Sequence, residues 1–171
     1  RAYAAMLFET AAIVRLAPRA RKTFGVRVLV LTHGETDAMN PTYGDELVRF
    51  ADDANRDLAP LTGQSERIVV FLSQQFGYPS SVGERPLVNQ PQWRIGIERP
   101  GEFVCTGPKY QIAGRGDGVH LHVTGCHELG EKTGQVYFER LVLGHDWQPL
   151  HPLGVVRSGR SISVRFHVPV P

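Results

Sequence analysis

An α/β fold built on a parallel sheet is the class this sequence predicts, and three observations carry it. Residues 26–32 (VRVLVLT) and 67–73 (RIVVFLS) are near-continuous runs of β-branched and large apolar residues, the pattern of strands buried on both faces of a parallel sheet. Between them Leu47, Phe50, Ala51, Ala54, Leu58 and Leu61 recur at the spacing of one helical face. Helix-like and strand-like segments then alternate through most of the chain, which favours parallel strands joined by helices.

Each element has its own warrant. Residues 2–17 read as a helix with Tyr3, Met6, Leu7, Ile13, Val14 and Leu16 near one face, ended by Pro18. The strand at 26–32 is followed by the loop HGETDAMNPTYG, the amphipathic helix and the strand at 67–73. Residues 79–101 should hold a crossover helix, and Pro86, Pro91 and Pro100 make it short or broken. A third, weaker strand is expected at 102–107 (EFVCTG). Thr124 is placed to cap a helix over 125–143 that turns Leu129, Val136, Tyr137 and Leu141 inward. Residues 146–171 read as a proline-bearing linker and one strand. The chain opens inside a helical pattern and closes on an alternating run, so the expectation is a piece of a longer protein: an α/β domain over 1–148, then a linker and the first strand of a following β module over 149–171.

Composition narrows the classes of function. The 171 residues suffice for one domain with a sizeable core. A net charge of +2, with no basic run interleaved with aromatics, gives no nucleic-acid footprint. The longest apolar runs fall far short of the roughly 20 residues a membrane span needs. The two cysteines, Cys105 and Cys126, are too few for a disulfide scaffold and read as free thiols, with a bridge between them left open.

In such sheets ligands bind beyond the carboxyl ends of the strands, and the chemically interesting residues fall in the loops there. Asp117 and His120, in GRGDGVH, have the spacing of a general base and the carboxylate that orients it, although a glycine-rich surface turn looks the same. In THGETD, Gly34 can present a backbone N–H while His33 or Glu35 polarises or orients a substrate group. Ser65, in GQS, precedes its strand and so lies at the wrong end of the sheet. Ser73 ends that strand on the correct side and is the in-chain candidate nucleophile. His33, Asp117, His120, His122, His127 and Glu128 could crowd a metal site, but HELGE lacks the second histidine of the zinc-protease pattern. No cofactor is expected.

Taken together, LTHGETDA before a long helix, FLSQQ on a strand, then GPKY, DGVHL and LGEKTGQVYFERLVLG resemble the SGNH (GDSL-like) hydrolases, in particular the sialate O-acetylesterase-like carbohydrate esterases, over about residues 1–148. The resemblance implies a doubly wound, three-layer α/β/α sheet of the flavodoxin-like type, with about three of five core strands present here. It implies His120 as base, Asp117 as its partner, and His33, Gly34 and Glu35 lining the site, and it makes an exported parent, extracellular or periplasmic, the expectation. The family's nucleophile serine and first strand would lie upstream of Arg1. The strand at 26–32 would then become an apolar edge, a template for association with a second copy.

Three functions follow as alternatives. The first is hydrolysis of a small acyl ester or acetylated sugar, weak or absent without the serine block. The second is binding or assembly on a remnant hydrolase scaffold. The third is a metal-dependent activity at the histidines.

Overall fold

The computed structural model describes residues 2–75 and 86–169. In chain order it contains α1 (Ala2–Leu16), a 3₁₀ turn (Ala17–Ala20), β1 (Val28–Leu31), α2 (Tyr43–Thr62), β2 (Val69–Gln74), α3 (Asn89–Glu98), β3 (Phe103–Pro108), α4 (Val123–Tyr137) continued by a π turn (Phe138–Val142), β4 (His151–Ser158) and β5 (Ser161–His167). Strands β1, β2 and β3 form a parallel sheet in that order, with Val28 opposite Val69 and Val70 opposite Phe103. The mixed α/β class read from the sequence is therefore present, with three parallel strands.

Alternation along the strands sorts the core into two layers. On one face Val70, Leu72, Phe103 and Cys105 pack against Tyr43, Leu47 and Ala51 of α2 and Ile95 of α3. On the other, Val69, Phe71 and Val104 meet Val136 of α4, with Leu141 and Trp147 partly buried beside them. The predicted face of α2 forms, with Ala54 and Leu58 fully buried against Ile68. A fully buried Leu58 contributes about 1.5–3 kcal/mol of burial energy. The expected short crossover helix is α3, whose Pro91 falls in the first turn, where a missing N–H costs no helical bond. The earlier part of the predicted crossover, 79–85, lies outside the described residues.

Side-chain amides bridge where backbone pairing stops. Gln64 accepts from the Val26 N–H and donates to the Val26 carbonyl, both at 2.8 Å, doing for that segment what a neighbouring strand would do. Asn55 does the same for Ile68, accepting from its N–H at 2.8 Å and donating to its carbonyl at 3.2 Å.

Several expectations need correction. Residues 26–32 are not buried on both faces as the apolar run predicts; β1 is an edge strand, the position the resemblance implies, its residues are at best half-buried, and Val30 is 62% exposed. On α1 the inward stripe is Tyr3, Met6, Leu7 and Thr10, packed on α2, and Ile13 and Leu16 face outward. Thr124 does not cap α4. The helix starts at Val123 after His122, with no side-chain cap, and Gly125 passes close to the 112–121 loop, where an added Cβ would sit 2.8 Å from the Ala113 carbonyl. Tyr137 is exposed along one flank, though its ring lies 6.3 Å from that of Phe71.

The tail holds two strands rather than one. β4 runs through part of the stretch read as a proline-bearing linker, and it accommodates Pro152 and Gly154 at an irregularity in its register with β5. The tail is also tied to the α/β layers. The Trp147 indole donates to the Cys105 carbonyl at 3.0 Å, and that of Trp93 donates to the Leu150 carbonyl at 2.9 Å.

Candidate active site

Beyond the carboxyl ends of β1 and β3 a groove of about 730 Å³ opens between the β1 edge and α4. Val30 and Thr32 form one wall, and Cys126, Leu129, Gly130 and Thr133 of α4 form the other. Glu35, Lys109 and His120 bring charge and hydrogen-bonding capacity to an otherwise largely apolar lining.

Asp117 and His120 are paired. Asp117 Oδ2 lies 2.9 Å from His120 Nδ1, and Asp117 Oδ1 accepts the backbone N–H groups of His120 at 2.8 Å and Val119 at 2.9 Å. These bonds, led by the His120 and then the Val119 backbone N–H, hold the carboxyl well below the usual carboxylate range. An ionised Asp117 accepts a hydrogen bond from Nδ1–H, which leaves Nε2 as the basic nitrogen. The pair is exposed, as a base serving an open groove must be. Its loop is closed by the Arg115 N–H donating to the His120 carbonyl at 2.8 Å and by the bridge of Gly114 with Leu121.

The THGETD loop divides between two neighbourhoods. Of His33, Gly34 and Glu35, Glu35 alone lines the groove, where it forms an ion pair with the buried Lys109. The His33 ring stacks on Tyr43, its Nδ1 lies 3.2 Å from the Tyr43 hydroxyl, and its Nε2 lies 3.4 Å from Asp37. Gly34 is buried at φ +130°, and an added Cβ would meet Gln92 Nε2 at 2.9 Å and the Tyr43 hydroxyl at 3.2 Å. The amide of Gln92 holds this corner together. Its Oε1 accepts the Gln75 N–H at 3.0 Å, and its Nε2 donates to the His33 carbonyl at 2.9 Å. Burial pushes the Tyr43 hydroxyl up to about 12, so it remains protonated, and it donates a hydrogen bond to the His33 carbonyl at 2.9 Å.

Ser73 is 4% exposed near the end of β2. It lines a minute cavity with Leu31, Phe71 and Thr106 that shares Val30, Thr32, Leu129 and Thr133 with the groove, and its Oγ lies 3.5 Å from Gln75 Nε2. No hydrogen bond joins it to His120 among the described residues. Ser65 is exposed ahead of β2, with its Oγ 3.5 Å from Glu66, consistent with its exclusion.

The histidines do not gather around one point. His33 faces Asp37, His120 faces Asp117, His127 faces Glu131 at 3.6 Å, and His122 precedes α4. Among the described residues no group of three or more His, Cys, Asp and Glu side chains is arranged to hold a metal. Cys105 and Cys126 are free thiols, the first buried and the second on the groove wall, so no bridge joins them.

Sequence reasoning passed over Lys109, Gln92 and Cys126 as site residues. Lys109 had a visible signal, its place immediately after β3. Gln92 and Cys126 had none, since only packing brings α3 under the 33–35 loop and α4 beside β1. With this geometry in view, no family model, curated protein or solved structure matches the chain.

Proposed function

We propose that this chain carries the base half of an ester-hydrolysing site of the SGNH type, acting on small acyl esters or acetylated sugars. The observation that supports it is the Asp117–His120 pair at the mouth of the groove. In this reading Nε2 of His120 takes the proton of the attacking hydroxyl or water and returns it to the departing alkoxide, while Asp117 holds the imidazole in the required tautomer. The apolar wall from Val30 to Leu129 receives the acyl or sugar face, and the Glu35–Lys109 pair orients its polar groups. The DGVH and HGETD motifs and the parallel sheet support the family assignment and its doubly wound, flavodoxin-like topology.

Ser73 is the in-chain candidate nucleophile. Its burial, and the absence of a hydrogen bond to His120 among the described residues, favour slow turnover by water activated at His120. The same observation favours a second reading, a module that binds an acylated ligand without turning it over.

The test combines p-nitrophenyl acetate turnover with fluorophosphonate labelling read by peptide mapping. His120→Ala should lower turnover by about 100-fold or more, the range of general-base catalysis, and His127→Ala should leave it unchanged. Equal rates in His120→Ala and the parent chain would overturn the reading. An adduct on Ser73 that is lost in His120→Ala would make Ser73 the nucleophile. Saturable binding of an acetylated sugar without hydrolysis would select the binding module.

A further inference from the structure

The hairpin at the far side of the molecule holds a second pair of imidazoles. His151 opens β4 and His167 closes β5, directly opposite each other in the antiparallel register. Their rings lie 5.0 Å apart between centroids and are tilted by 34°. Each ring is anchored by one nitrogen to the backbone leading into β4. His151 Nδ1 lies 2.9 Å from the Pro149 carbonyl, and His167 Nε2 lies 3.3 Å from the Gln148 carbonyl.

A carbonyl can only accept, so these two contacts fix the protons on His151 Nδ1 and His167 Nε2. The other nitrogens, His151 Nε2 and His167 Nδ1, then carry lone pairs. The anchored nitrogens turn to the consecutive carbonyls of Gln148 and Pro149. An imidazole oriented by a backbone carbonyl through its second nitrogen is how metal-ligating histidines are held. The spacing agrees. Two imidazoles bound to one ion at about 2.0–2.1 Å and a near-tetrahedral angle have ring centroids about 5 Å apart. A cavity of about 310 Å³ opens beside His167, lined also by Arg140, Asp146, Trp147 and Gln148.

We infer that His151 and His167 form a two-imidazole site for a divalent transition metal of the class that favours nitrogen ligands, Cu²⁺, Ni²⁺ or Zn²⁺. It is distinct from the groove at His120. With two protein ligands it is an exchangeable site. Occupancy would staple the open ends of β4 and β5, the part of a hairpin that frays first.

The experiment titrates the full chain with Zn²⁺ and Cu²⁺ by calorimetry and follows the imidazoles by ¹⁵N NMR of histidine-labelled protein. The expected result is one equivalent bound in the micromolar range, with coordination shifts on His151 Nε2 and His167 Nδ1. Affinity should fall at least tenfold in both His151→Gln and His167→Gln and remain unchanged in His127→Gln. The inference is overturned if only one of the two Gln variants loses affinity, if neither does, or if the NMR shifts fall on other histidines. The NMR assignment on the parent chain decides the matter even where a variant fails to fold.

Discussion

Replacing Gln92 by Met tests whether the corner beneath the candidate site is held by one buried amide. Gln92 is 1% exposed and Gln75, whose N–H it accepts, is fully buried. Met matches the side chain in length and fills the space, so the packing change should cost less than about 1.5 kcal/mol. The lost polar contacts are unequal. The Gln75 N–H is left without this acceptor in a site closed to water, at about 1–3 kcal/mol. The His33 carbonyl keeps its bond from the Tyr43 hydroxyl, so losing the second donor there costs nearer the net value of an ordinary hydrogen bond, about 0.5–1.5 kcal/mol. The polar losses together come to about 1.5–4.5 kcal/mol, a large fraction of a typical domain's stability. Urea unfolding followed by circular dichroism should show the midpoint falling with an unchanged slope. A loss below about 0.5 kcal/mol would refute the reasoning and mean that the 33–35 loop is held by its own turn.

Other outcomes follow from the same structure. Val30 stands 62% exposed on an edge strand that carries no proline or lysine to block pairing. We expect two copies to pair along β1, giving a dimer by sedimentation that Val30→Asp dissociates; a parent chain that stays monomeric at high concentration would refute this. Thiol titration should find Cys126 reactive in the native state and Cys105 only after unfolding, because burial pushes the Cys105 thiol up to about 11; rapid native labelling of both would contradict that packing. Asp117 has a depressed folded pKa, so its contribution is present above the ordinary carboxylate range and is lost as pH falls through its own lower value. Its carboxyl carbon should titrate below about 3.9 by NMR, and should stay depressed in His120→Ala because backbone N–H groups are the larger cause; an ordinary midpoint in the parent chain would count against the paired geometry.

Local pattern determined much of this chain. The α2 stripe, the β2 run and the shortness of α3 were legible because each follows from spacing and from proline chemistry that act within a few residues. The Asp117–His120 pair was legible for the same reason, since two residues three apart in a glycine-rich turn can meet without help from the rest of the fold. Tertiary structure alone decided the remainder. Whether VRVLVLT lies inside a sheet or at its edge depends on which strands pair beside it, and a run of apolar residues does not encode that. Ser73 and His120 belong to different elements, and their relative placement depends on how α4 and the loop before it pack against the sheet. The anchoring of Gln92 under His33, and of His167 beside His151, likewise joins residues far apart in sequence. Such contacts are set by the stacking of layers and the register of strands, which no local spacing contains.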